Sequence, residues 1–198
     1  MNQYTFNTIM PLIMPIAFFI FFFAILFYSN KQKAKVLGRL SAGLRGSVSR
    51  FSFIPTFKGE YQGLNFSIEL LSGGKNSPPC LKICLAKNFL FRLTIYKESF
   101  LSNIGKKLGV IHEVKINDEM FDRDFLVFSN KPAQAASYLN NSSVKNAIRE
   151  LFSSGFNALF IKEKQILIQK PNYNLEIDIN PQNITQTLQR LFMLARGG

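Results

Sequence analysis

Residues 9–28 read IMPLIMPIAFFIFFFAILFY, a run with no charge and no strongly polar group. At about 1.5 Å of rise per residue, a helix of that length spans roughly 30 Å, the hydrocarbon thickness of a bilayer. No charged side chain occurs anywhere in residues 1–30. A helix packed on a soluble domain keeps one polar face, whereas this one is apolar all round. Pro11 and Pro15 lie near its outer end, where they sit in the first turns or kink the helix, and lipid tolerates both. A cleaved signal peptide fits poorly. The positive leader is missing, the apolar run exceeds the usual length of about 7–15 residues, and no A-x-A-like site follows. The reading is an uncleaved transmembrane helix over 9–28.

Charge then sets the direction. The stretch 31–50 contains Lys31, Lys33, Lys35, Arg39, Arg45 and Arg50 and no acid. Cations in short flanks stay on the cytoplasmic side. Residues 1–8 are therefore expected as a short extracytoplasmic tail, 29–50 as a basic juxtamembrane segment, and 51–198 as a cytosolic domain. Those six cations are expected to lie at the membrane surface, near anionic headgroups. Val36, Leu37, Leu40, Leu44 and Val48 recur at helical spacing, so 31–50 reads as an amphipathic helix on the membrane. Gly38, Gly43 and Gly46 argue instead for a broken helix or a flexible linker. Both readings stay open on the sequence.

The whole chain has 198 residues, 47% apolar, with 24 Lys/Arg against 12 Asp/Glu and a net charge of +12. Apolar content this high excludes wholesale disorder. Half of the net charge belongs to 31–50, which leaves a mildly basic remainder, too weak a footprint for a nucleic-acid binder. The 21 Phe residues, with no Trp, fall mostly at strand and helix positions and read as packing.

Beyond residue 50, period-two alternation marks strands at Phe66–Leu70, Leu81–Leu85 and Phe91–Ile95. Residues 72–79 form a loop, and Lys87-Asn88 reads as a tight hairpin turn. A short helix is expected over 98–107. Short strands are expected at His112–Ile116 and Phe125–Phe128, flanking an acidic turn. Pro132 opens a helical stretch, and Val144, Ala147, Ile148, Leu151 and Phe152 mark a helix face that stops at Gly155. Strands at 158–162 and 165–170 follow, joined near Glu163-Lys164. A further alternating run, Leu175, Ile177 and Ile179, reads as a strand ending at Pro181. A C-terminal helix carries Ile184, Leu188, Leu191, Phe192 and Ala195 on one face. This grouping predicts an α+β fold: one mixed domain of mainly antiparallel strands with two to four helices behind the single transmembrane helix.

Chemistry is sparse. Cys80 and Cys84 on a regular strand have Cα atoms about 13 Å apart, too far for a disulfide. His112 is the sole imidazole. The cluster Asp118-Glu119-Met120-Phe121-Asp122-Arg123-Asp124 lacks the glycine and spacing of a calcium loop and reads as a turn. Phosphate-binding, dinucleotide, zinc-protease and nucleophile-elbow motifs are absent from the sequence. Asn65, Asn141 and Asn183 begin glycosylation-like triplets, which a cytoplasmic domain would not present to that machinery. No catalytic residue, metal ligand or cofactor is assigned.

The stretch Phe121-Asp122-Arg123-Asp124-Phe125-Leu126-Val127-Phe128, followed by Asn130-Lys131-Pro132, resembles a pattern in bacterial single-pass membrane proteins with a small cytosolic α+β domain. The resemblance extends loosely over about 60–190. It implies architecture and anchoring, and brings no activity or catalytic residue.

The leading functional reading is a membrane-anchored, non-catalytic protein whose cytosolic domain binds a protein partner, as an accessory subunit of a membrane complex. The alternatives are anionic-lipid binding through 31–50, a membrane-associated enzyme with its site around 112–124, and a nucleic-acid binder. The anchor has a direct test. Full-length protein should stay with membranes through alkaline carbonate extraction. Protease added outside intact cells should leave a C-terminal epitope attached to the last three-quarters of the chain; release into the soluble fraction would contradict the helix assignment.

Overall fold

The computed structural model describes residues 3–49, 54–75, 77–98 and 112–197, with the backbone alone for 3–13 and His112. A single helix α1 runs from Gln3 to Gly38, 36 residues and about 54 Å long, unbroken through Pro11 and Pro15. Every side chain from Met14 to Tyr28 is exposed. The helix is long and apolar enough to cross a membrane. Its apolar surface is thus not consumed by the protein's own core, the condition that separates a lipid-facing helix from a core helix.

The segment after it is neither a linker nor a helix lying free on a membrane. Residues 31–38 are the last turns of α1, Arg39–Ala42 form a 3-10 turn, and Gly46–Ser49 form strand β1. Leu37 and Leu40 are fully buried and Leu44 nearly so, all within the main core. The helical spacing was real, but its apolar face is buried against the sheet and not in headgroups. The folded unit accordingly begins upstream of residue 51.

The fold is α+β. Strands β2 (Thr56–Tyr61), β3 (Leu64–Leu71), β4 (Cys80–Ala86), β5 (Leu93–Lys97), β6 (His112–Glu113), β7 (Phe125–Ser129), β8 (Ala158–Lys162) and β9 (Gln165–Pro171) join β1 in one sheet. Its order among the described residues is β1-β2-β3-β4-β9-β8-β5-β7-β6, and every pairing is antiparallel. Register aligns one buried row across seven strands: Phe57, Ile68, Ile83, Ile168, Leu159, Ile95 and Val127. Helices α3 (Pro132–Asn140), α4 (Ser142–Ser153) and α6 (Pro181–Arg196) complete the core with this face. Tyr138 on α3 donates its hydroxyl to the Leu194 carbonyl of α6 at 2.8 Å, tying two helices inside the core. Burial pushes that phenol well above its ordinary range.

Four expectations change. Strands β1 and β2 were not foreseen, although Gln62-Gly63 with φ of 50° and 82° makes the tight turn that pairs β2 with β3. Gly46 and Gly59 face each other in the register, and a Cβ on either would strike the Phe57 or Phe66 ring. Lys87-Asn88 is not a hairpin turn, because the β8–β9 hairpin lies between β4 and β5. The Lys87 and Phe89 amides donate to carbonyls of Lys164 and Glu163 at its tip. The run Leu175, Ile177, Ile179 is not a strand. Asn174 caps a single turn, α5 (Leu175–Asp178), by accepting from the Glu176 and Ile177 amides. The acidic turn is a capped helix, α2 (Glu119–Asp124). The helix expected over 98–107 lies outside the described residues except at Glu98.

These contacts make the upstream boundary testable. Leu40→Ala should cost about 2–5 kcal/mol of stability, measured by denaturant unfolding of the domain. A fragment starting at residue 51 should lose cooperative unfolding, while one starting at residue 31 should keep it. Equal stability of the two fragments would show that 37–49 do not belong to the fold.

Candidate functional site

Alternation gives the sheet a second face, opposite the helices. Along it run Ser67, Cys84, Leu167, Phe160, Thr94 and Phe128, and next to them Glu69, Lys82, Gln169, Ala158, Tyr96 and Leu126. Cys84, Leu167, Ala158 and Leu126 are buried yet lie outside the main core cluster. Polarity changes along the sheet. Near β3 and β4 the face carries the Lys82–Glu69 ion pair at 2.9 Å. Near β5, β7 and β8 it is aromatic, with Phe160 meeting Tyr96 edge-on at 5.8 Å. Partial burial raises the Tyr96 phenol above its usual value.

A groove of about 680 Å³ opens over the aromatic part, with Thr94, Phe128 and Phe160 among its lining residues. Its end wall is the Arg92–Glu163 ion pair at 2.6 Å, and Asn130 Oδ1 accepts from the Arg92 amide at 2.7 Å. Lys162 lies 6.0 Å from the centre of the Phe160 ring, and Lys164 completes a positive rim once Arg92 and Glu163 cancel. A second depression of about 450 Å³ reaches Lys58, Ser67 and Cys84, and shares Gln165 with the first. An apolar floor with a cationic rim suits binding.

The six expected surface cations do not act as one stripe. Lys31 and Lys35 lie one turn apart on the exposed side of α1, and Arg39, exposed at the start of the 3-10 turn, lies 3.7 Å from Glu176. Lys33 is half-buried on the opposite side and donates to Ser72 Oγ at 2.5 Å, and burial lowers its pKa. Arg45 is exposed beyond the helix end, and Arg50 lies outside the described residues.

The 112–124 region is structural in its described contacts. Asp118 caps α2 by accepting from the Phe121 amide, and pairs with Lys145 at 2.8 Å and Arg149 at 3.4 Å. Asp122 accepts from the Ile116 amide at 3.1 Å, and Asp124 pairs with Arg123. Both thiols are free, and burial raises them, which keeps them protonated and poorly nucleophilic. Among the described residues, no three His, Cys, Asp or Glu side chains converge as metal ligands. The sheet face opposite the helices was missed in the sequence. Its signal was the apolar residue at positions the alternation assigns to solvent: Leu167, Phe160, Leu126 and Phe128.

No protein-family profile matches the chain, and no curated protein matches it in sequence. Among solved structures, the fold is similar to that of the mycobacterial trehalose monomycolate transport factor A, TtfA. The TM-score is 0.57 at 10% identity, covering 83% of this chain and 92% of that one. The shared feature is the fold.

Asp118 provides a pH test. The Lys145 hydrogen bond, then the Phe121 amide, hold its carboxyl below the ordinary aspartate range. A lowered folded-state pKa contributes stability above the unfolded value of about 3.9, which is lost as pH falls through the folded value. Asp118→Asn keeps a capping oxygen and removes the charge. It should unfold more readily at neutral pH, and its deficit against the native protein should shrink between about pH 5 and pH 2 in denaturant titrations.

Proposed function

We propose that the chain is a single-pass membrane protein, with residues 1–8 outside, 9–28 crossing the bilayer and 29–198 in the cytoplasm. Its domain acts as a non-catalytic accessory factor that holds a protein partner on the open face of the sheet. The observation that carries this reading is an aromatic, groove-bearing face with no described element over it, in a domain whose anchor is built into its core. Residues such as Phe160 and Tyr96 offer large rigid surface at low entropy cost, the character of interface anchors. The rim of Lys58, Lys162 and Lys164 favours a partner segment bearing acids beside apolar side chains. The fold likeness to a protein named as a transport factor supports placing the partner in a membrane transport assembly. The half of the net charge at 31–50 serves topology in this reading.

A photo-crosslinking residue at position 160 in native membranes should yield one discrete adduct, and the same residue at Lys75, off this face, should not. Phe160→Asp should reduce co-purification at least about tenfold, equivalent to roughly 1.4 kcal/mol, with the melting of the helix-side core little changed. A lone monodisperse protein, with no adduct at 160 in membranes, would overturn the proposal.

A further inference from the structure

We propose that the end of the sheet carrying the β3–β4 loop and α5 rests on the headgroup layer of the membrane that α1 enters, with Leu175 and Ile177 as its apolar contacts. The inference rests on the reading of α1 as the membrane anchor. Direction comes from two contacts. Lys33 meets Ser72 just past the end of β3, and the Arg45 carbonyl accepts from the Glu60 amide near the other end of β2. The last turns of α1 therefore run alongside the sheet, from the end bearing Ser72 towards the end bearing the Gln62-Gly63 turn. The buried Leu37, Leu40 and Leu44 hold that direction fixed.

Register identifies what else shares the anchor's end. Leu71, Cys80 and Pro171 lie in one row, and the Asn172 amide donates to the Pro79 carbonyl at 2.9 Å. Helix α5 follows at once, and Glu176 on it lies 3.7 Å from Arg39, six residues further along the chain from Tyr28 than Lys33. Ser72 meets α1 five residues beyond Tyr28, about 7.5 Å along the axis. Headgroups occupy roughly 5–8 Å on each side of the hydrocarbon, so this loop lies at the layer's edge.

Helix α5 is then a rigid turn that presents its apolar residues outward. The Asp178 carboxylate accepts from the Asn174 amide and from Lys170 Nζ, both at 2.7 Å, and Lys170 also donates to the Ser154 carbonyl. Asn183 Nδ2 donates to the Ile177 carbonyl at 2.7 Å. With the backbone so held, Ile177 is 61% and Leu175 43% exposed, and Ile54, before β2, is 43% exposed at the same end of the sheet. Covering such side chains is worth about 25 cal/mol per Å². Charge agrees with an anionic layer as the occupant: Lys31, Lys35 and Lys75 are exposed, and the one acid of α5 that is well exposed, Glu176, faces Arg39.

The test uses the full chain in nanodiscs of phosphatidylcholine and phosphatidylglycerol, doped with headgroup spin-labelled lipid. On a Cys80→Ala, Cys84→Ala background, a fluorophore is placed singly at Ile177→Cys, Tyr28→Cys or Gln62→Cys. The label at 177 should be quenched several-fold more than that at 62, and the label at 28 should also be quenched. Quenching at 28 with 177 no different from 62 overturns the proposal and leaves the anchor standing. No quenching at 28 overturns the anchor itself. Quenching at 177 that vanishes when co-purifying protein is stripped away would assign α5 to a protein contact and overturn the lipid proposal.

Discussion

The structure depends on one physical constraint: a helix that exposes apolar side chains all round in its first part leads directly into a segment buried in the domain. Met14 to Tyr28 expose apolar side chains on every side, while Leu37, Leu40 and Leu44 are buried under the edge of the sheet. Leu37 lies in the same helix as the exposed run, and Leu40 and Leu44 follow in and just past the 3-10 turn that continues it. A flexible tether would leave the domain free to tumble beneath its anchor. Burial of about three leucines, each worth roughly 1.5–3 kcal/mol, makes the helix part of the domain.

The sheet turns that constraint into an arrangement of surfaces. One face is closed by α3, α4 and α6 and supplies the core. The other is graded from charged at β3 and β4 to aromatic at β8, β5 and β7. The grooved end of that face, near Arg92 and Lys164, lies at the opposite end of the strands from Ser72 and α5. The groove thus opens at the end of the sheet away from Ser72, where α1 meets the domain.

Much of the fold was legible because local patterns survive in it. Pro132 at the start of α3, Gly155 at φ 91° after α4, and the alternation in β3 and β4 each reflect a constraint within a few residues. The failures have equally local causes. Leu175, Ile177 and Ile179 alternate like a strand, but Asn174 and Asp178 offer the backbone amides side-chain oxygens, and a capped turn wins. Residues 56–61, TFKGEY, hide a strand because Gly59 replaces an inward side chain to make room for the ring of Phe66. Of the cations expected at a membrane surface over 31–50, Lys33 meets Ser72, a contact between residues 39 positions apart that no local pattern shows. The sheet face escaped because Leu167 and Phe160 look like ordinary strand residues until their side is known.

By itself, the sequence determined the apolar helix, the sign and position of its flanking charge, and the α+β class, since each follows from composition or from a period of two or 3.6 residues. Only the tertiary structure decided that 37–44 join the core, that β8 and β9 lie between β4 and β5, and which sheet face the described helices cover. Those outcomes rest on contacts between residues tens of positions apart, and no local period encodes which distant apolar surface will cover another.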